Sequence, residues 1–64
     1  MYAQISDKMY AHLTENFQFV LTDRQELSNG FKRWYYCEEL EQSILVVTSC
    51  VANTDSYHVQ DINA

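Results

Sequence analysis

The chain has 64 residues, of which 47% are hydrophobic and 14% aromatic, and nine acidic residues against four basic ones leave a net charge of −5. This composition is too apolar for a disordered tail, and the length suffices for a single small domain over residues 1–64. It excludes a multi-domain enzyme and a solenoid, which needs at least three repeats of about 20–50 residues. The negative charge argues against general binding to nucleic acid or to anionic membranes, because both select basic surfaces.

The first residues lack the basic and apolar segments of a secretory signal, and no apolar run approaches the ~20 residues of a membrane span. Cys37 and Cys50 are the only cysteines, too few for the disulfide framework of a small secreted scaffold. Both lie in apolar or aromatic stretches, so we expect two buried free thiols. The sequence therefore predicts a cytoplasmic protein that does not associate with membranes.

The N-terminal segment is predicted to form a helix that begins after Ser6 and ends near Asn16. The Ser6 hydroxyl can cap the first turn by accepting a hydrogen bond from a backbone N–H. Ile5, Met9 and Leu13 recur every four residues and form one apolar stripe along this helix.

The next segment, Phe17–Thr22, fits both a strand and a helix. Phenylalanine or leucine recurs at every second position, which is the period of a strand. A helix with Gly30 as its C-terminal stop would also fit, with its apolar residues at Leu13, Phe17, Val20, Leu21 and Leu27. Since Phe, Val and Thr favour strands, we predict a strand here and keep the helix as the alternative.

Three later segments are predicted to be strands. Phe31–Cys37 has aromatic residues on both faces of the alternating pattern, one face with Phe31, Arg33, Tyr35 and Cys37 and the other with Lys32, Trp34 and Tyr36. Ser43–Val51 is rich in β-branched residues and apolar on both faces, which is typical of a central strand. Tyr57–Ile62 is shorter and more polar, which suits an edge strand.

Short connections between successive strands favour an antiparallel meander. We therefore predict an α+β fold in which one N-terminal helix packs on a three- or four-stranded antiparallel meander sheet. In such a meander Cys37 and Cys50 lie roughly 17–20 Å apart, at about 3.3 Å per residue along a strand. A disulfide needs Cα atoms within about 7 Å, so we expect no intrachain bridge.

The sequence carries no recognisable motif for catalysis, cofactor binding or metal binding. Cys37, Cys50, His12 and His58 are scattered singly, with neither a C-x-x-C nor an H-x-x-x-H pair. A single glycine cannot build a phosphate-binding loop, and the common nucleophile motifs are missing. We expect a protein that is not an enzyme and that has no cofactor and no metal site.

Nucleic-acid binding has one local argument, the segment Lys32–Tyr36. It sets two cations beside three aromatic rings, on which bases could stack. Strand alternation, however, sends Lys32 and Arg33 to opposite faces, and does the same with Trp34 and Tyr35. The surrounding charge is also negative, so direct nucleic-acid binding is the less favoured hypothesis.

Protein binding is the favoured class, because nine aromatic residues are many for so small a core. Tyrosine and tryptophan are enriched at interface hot spots, and acidic groups steer association with a basic partner. We expect the partner-binding residues to be Trp34, Tyr36, Glu38, Glu39, Glu41 and Tyr57.

These features predict a small inhibitor or modulator that docks on a larger basic protein or complex, such as one that processes nucleic acid. Phage-encoded inhibitors of host defence, including anti-CRISPR proteins, share the small size and acidic charge as a class, without a shared motif in this sequence. The alternative is a structural module that forms a homodimer through a spare aromatic face or an open sheet edge.

Overall fold

The computed structural model describes residues 2–60, which form a five-stranded antiparallel sheet with one helix on one of its faces. The strand order is β1-β5-β4-β3-β2, with each neighbouring pair antiparallel. The predicted α+β class is confirmed, but the sheet has five strands rather than three or four. In chain order the elements are β1 (Tyr2–Ile5), α1 (Asp7–Asn16), β2 (Val20–Leu27), β3 (Gly30–Cys37), β4 (Gln42–Ser49) and β5 (Thr54–Gln60).

The helix begins and ends as the sequence predicts. The Ser6 side chain accepts a hydrogen bond of 3.1 Å from the backbone N–H of Met9, which satisfies one of the free donors of the first turn. At the other end, the backbone N–H of Phe17 donates to the Leu13 carbonyl, and Phe17 itself is extended. Among residues 2–60, no helix is both long enough and apolar enough to cross a membrane.

Strand β1 is the strand that the sequence analysis missed. It has four residues and pairs with β5, with Tyr2 opposite Gln60 and Ile5 opposite Tyr57. Four residues are too few for a recognisable period, so this strand depends on a partner more than fifty residues away. It also corrects the prediction for β5, which lies between β1 and β4 instead of at the edge.

Strand β2 occupies the segment that fitted both a strand and a helix. It begins three residues later than predicted and continues through the polar run Asp23–Glu26 to Leu27. A turn at Ser28 and Asn29 connects it to β3, so that Leu27 lies opposite Gly30. The predicted strand is therefore shifted, and the helix alternative is wrong.

Strand β4 is the central strand of the sheet, as predicted, with β5 on one side and β3 on the other. The predicted bounds of the last two strands differ slightly, since β4 ends at Ser49 and β5 begins at Thr54. Ile62, the predicted end of the last strand, lies outside the described residues.

Alternation along the strands gives the sheet two different faces. The ring of Tyr10 in α1 stacks on that of Tyr57 in β5, with centroids 3.9 Å apart, so α1 covers the face that carries Tyr57. We call this the helix face and the other the open face. Val46 lies opposite Tyr57 in the register and therefore shares the helix face. Together with Ile44 and Cys37, Val46 forms the fully buried core of the described residues.

The two cysteines have different environments. Both are free thiols, but Cys37 is buried at the end of β3, whereas Cys50 is exposed in the turn between β4 and β5. The prediction of two buried thiols is thus wrong for Cys50, because this residue follows the last residue of β4 and is in the turn.

Candidate protein-docking surface

The open face carries an apolar patch that no element of the described chain covers. At its centre Trp34 of β3 lies opposite Leu45 of β4, and both are half-buried. Residues opposite each other in an antiparallel pair project from the same face, which places the flanking side chains on this surface. The open-face patch consists of Val20, Leu27, Trp34, Tyr36, Leu45 and Val47.

Charge is sparse on the open face. Among the strand residues that face this way, Asp23 and Lys32 are the charged ones at neutral pH, and their charges have opposite signs. The remaining acidic residues of the described chain lie on the helix face, in α1 or in the turn after β3. The open-face patch is therefore close to electrically neutral in a protein of net charge −5.

The turn between β3 and β4, residues 38–41, concentrates negative charge at one end of the sheet. We call it the acidic turn. Its residues Glu38, Glu39 and Glu41 are all exposed, and the Glu41 N–H donates to the Glu38 carbonyl at 3.3 Å. Glu41 has a φ of 50°, in the left-handed region that glycine or asparagine adopts more easily. Glu41 thus occupies a left-handed position for which glycine or asparagine has the better backbone propensity.

An open groove joins the acidic turn to the open-face patch. Its volume is about 670 Å³, and it lies between the start of β2 and the end of β3. The groove brings together three of the six predicted partner-binding residues, and Trp34 lies on the same face two residues before Tyr36. The lining residues are Gln18, Val20, Thr22, Tyr36, Cys37, Glu38 and Glu39.

Tyr57, the sixth predicted partner-binding residue, lies apart from the others on the helix face. Its ring is stacked against Tyr10, nearly parallel at 13°. Burial raises the pKa of both phenols above 10, and the carboxylates of Asp55 and Asp7 raise that of Tyr57 further. The nearby guanidinium of Arg33 acts in the opposite direction on both. Tyr57 is thus part of the packing between helix and sheet.

Because the pKa values of Tyr10 and Tyr57 are raised in the folded protein, we expect the free energy of unfolding to fall in alkali. Below pH 10 both are protonated in the folded and unfolded chain, so their contribution is fully present. As the pH rises past 10, the unfolded chain loses these protons first, and the free energy of unfolding falls. We expect Tyr10→Phe and Tyr57→Phe each to reduce this fall, measured as urea midpoints at pH 8 and in a series above pH 10. Equal falls in both variants and in the wild type would contradict the assignment.

The helix face holds a second cluster, which the sequence analysis did not identify. Arg24 of β2 lies opposite Arg33 of β3, and both guanidinium groups lie over the ring of Phe31, at 4.5 and 5.2 Å from its centroid. Arg33 also donates to the Tyr35 hydroxyl at 3.1 Å, while its buried Nε has no hydrogen-bond partner among the described residues. Alternation placed three of these residues on one face, but Arg24 was not expected there because its strand was predicted to end at Thr22.

No group of three or more Cys, His, Asp or Glu side chains within residues 2–60 is arranged to hold a metal ion. Comparisons with known proteins find no matching family model, no matching curated protein and no matching solved structure. The function proposed below therefore depends on the residues and their geometry.

Proposed function

We propose that this protein is a small non-catalytic binding module that docks on a larger basic protein or complex and inhibits or modulates it. The observation that carries the proposal is the groove that Tyr36, Glu38 and Glu39 line together. An aromatic anchor beside acidic groups supplies both parts of a protein interface, a desolvated centre and a charged rim.

The acidic turn supplies the charge recognition. Its carboxylates project into solvent at one end of the sheet, where they attract a basic partner and orient its approach. A basic groove that holds nucleic acid in a processing enzyme has the complementary charge. Phage-encoded inhibitors of host defence, the anti-CRISPR proteins among them, form the class of proteins that this proposal favours.

The backbone at Glu41 supports a role for the acidic turn that is independent of folding. A non-glycine residue in the left-handed region costs free energy, and such costs cluster at functional sites. Asparagine tolerates this conformation better and carries no charge. We therefore propose that the carboxylate is retained for binding at some expense of stability.

We place this interaction in the cytoplasm. Both cysteines are free, and the exposed thiol of Cys50 is compatible with a reducing compartment.

The test begins with affinity capture on the immobilised full chain from a lysate of the source cells, at low and at high salt. We expect the wild type to retain a basic protein. The purified partner should then bind less tightly as the salt concentration rises, because salt screens exposed charges. Replacing Glu38, Glu39 and Glu41 together with lysine is expected to weaken this binding by at least about tenfold. Salt-independent binding, or equal binding by the triple variant, would contradict the proposal.

A matched pair of single variants separates local recognition from overall charge. Glu39→Lys and Asp55→Lys change the net charge equally, but Asp55 lies near the other end of the sheet, opposite Thr48. Thr48 follows Gln42 by six positions along β4, about 20 Å at ~3.3 Å per residue. We expect Glu39→Lys to weaken binding and Asp55→Lys to have little effect, with both variants folded by circular dichroism.

Direct binding of single-stranded nucleic acid is the competing hypothesis, since Lys32, Trp34 and Tyr36 share the open face. The acidic turn at the end of this face opposes it, because it repels phosphates. Quenching of Trp34 fluorescence by a single-stranded oligonucleotide would favour this alternative over protein docking.

A further inference from the structure

Strand β2 forms an unpartnered edge of the sheet. It has eight residues, and every one of them is exposed. The other edge, β1, has half that length. An edge strand presents a row of unpaired N–H and C=O groups, which makes it a template for pairing with another strand. In the described part of the chain, β2 is thus the longer surface available for such pairing.

The side chains of β2 carry a self-complementary charge pattern. Arg24 and Glu26 both project from the helix face, with Arg24 Nε 2.6 Å from Glu26 Oε1. Both side chains are mostly exposed, at 52% and 68%. Such an exposed pair contributes little to the stability of a single chain. Its cation and anion lie two residues apart, with the uncharged Gln25 between them.

We propose that β2 pairs antiparallel with β2 of a second copy, about a two-fold axis at Gln25. Arg24 then lies opposite Glu26 of the second copy, and Glu26 lies opposite the arginine of that copy. Cross-strand neighbours of this kind have Cβ atoms about 4.5–5.5 Å apart, close enough for ion pairs. The paired segment is Asp23–Leu27, which begins directly after the bulge between Leu21 and Asp23.

Among the axes that pass through residues 23–26, the charge pattern selects the one at Gln25. The axis must pass through a residue, because opposite side chains in an antiparallel pair project from the same face. An axis at Asp23, Arg24 or Glu26 would place a charged side chain opposite its own copy, which is repulsive. At Gln25 the axis instead creates two ion pairs and no pair of like charges.

Net charge does not oppose this arrangement. Lys32 lies opposite Gln25, and Cys37 follows Lys32 by five positions along β3. The acidic turns therefore lie about 17 Å from the axis, at ~3.3 Å per residue, on opposite sides of it. Their separation is several times the Debye length of about 8 Å at physiological salt, so their repulsion is screened.

The resulting dimer has one ten-stranded sheet, because each copy contributes five strands. Both helices lie on one side and both open-face patches lie on the other, side by side. This inference goes beyond the proposed function and does not depend on it, since neither the acidic turn nor the groove contributes to the interface.

Sedimentation equilibrium of the full chain tests the dimer. We expect the wild type to approach twice the monomer mass of 7.6 kDa at high micromolar concentration. Arg24→Glu and Glu26→Arg should each raise the dissociation constant about tenfold or more, because each creates two pairs of like charges. The double variant R24E/E26R exchanges the charges and should restore the wild-type constant. A wild type that stays monomeric, or a double variant that is not restored, would overturn the proposal.

Two comparisons exclude an effect of overall charge. Arg24→Glu makes the chain more acidic and Glu26→Arg makes it less acidic, so a net-charge effect would move their constants in opposite directions. Lys8→Glu changes the charge as Arg24→Glu does but lies in α1, and we expect it to leave the constant unchanged. A Lys8→Glu effect equal to that of Arg24→Glu would also count against the register.

Cross-linking tests the position of the axis directly. In a Cys50→Ser background, Gln25→Cys should form a covalent dimer under mild oxidation, because the residue lies opposite its own copy. Asn29→Cys in the same background should not, since Asn29 lies four positions from the axis residue, in the turn after β2. Equal cross-linking of the two, or none at Gln25→Cys, would overturn this pairing and show that the charges of β2 protect its edge instead.

Discussion

Replacing Gly30 with alanine is expected to destabilise the domain by about 3 kcal/mol, the upper end of the usual range for overpacking. A Cβ at this position would overlap the carbonyl oxygen of Thr48 and lie 3.1 Å from its carbonyl carbon and 3.3 Å from the Cα of Ser49. All three are backbone atoms of the neighbouring strand, so no side-chain rotation can relieve the overlap. Strands β3 and β4 would have to separate where the register pairs Gly30 with Ser49.

The expected destabilisation comes from this steric overlap and not from backbone strain, because the φ of Gly30 is not positive. A domain of 64 residues has a stability of about 3–10 kcal/mol, so this loss is a large part of the total. Urea denaturation followed by circular dichroism measures the loss. Ser28→Ala, in the exposed turn before Gly30, is the control and should change the free energy of unfolding by less than about 0.5 kcal/mol. A Gly30→Ala midpoint equal to that of the wild type would contradict the close approach of the strands.

The second large effect is expected from Val46→Ala. Val46 is fully buried at the centre of β4, on the helix face of the sheet. The change removes two methyl groups and leaves a cavity, which costs about 2–3 kcal/mol at ~0.8 kcal/mol per carbon plus the cavity term. Because so few residues of the described chain are fully buried, the remaining core cannot absorb the loss.

Val51→Ala is the matched control, since the same atoms are removed from a side chain that is 82% exposed. It lies in the turn after β4, and we expect a change of less than about 0.5 kcal/mol. Both variants are compared with the wild type by their urea midpoints at an unchanged m-value. Equal losses for Val46→Ala and Val51→Ala would show that the core is not where the structure places it.

The elements that the sequence predicted well are those with local or strongly patterned causes. Helix α1 was predicted from the Ser6 cap and an apolar stripe, both within about ten residues of sequence. The cap forms, but no residue of α1 is buried and Met9 of the stripe is exposed, because the ring that packs on the sheet is that of Tyr10. Strand β4 was recognised from its β-branched residues, and the alternation in β3 correctly separated Trp34 and Tyr36 from Tyr35. The acidic turn followed from its position between these two strands.

The candidate surface was predicted only in part. Alternation placed Trp34 and Tyr36 together, and the turn placed the three glutamates nearby. Nothing in the local pattern of Tyr57 indicates that its ring is stacked on Tyr10, because that contact joins residues more than forty positions apart. The groove likewise depends on β2 lying beside the end of β3.

The amino-acid sequence alone is thus sufficient to predict the fold class, the net charge and the alternation of side chains along the central strands, because these properties follow from composition and short-range periodicity. The folded arrangement alone decides that Tyr2–Ile5 is a strand, that β5 is internal and that the polar run Asp23–Glu26 forms an edge. In each of these cases the hydrogen-bonding partner is a separate strand. Which strands pair is decided by the packing of apolar faces when the helix covers one side of the sheet, and short-range periodicity does not contain that information.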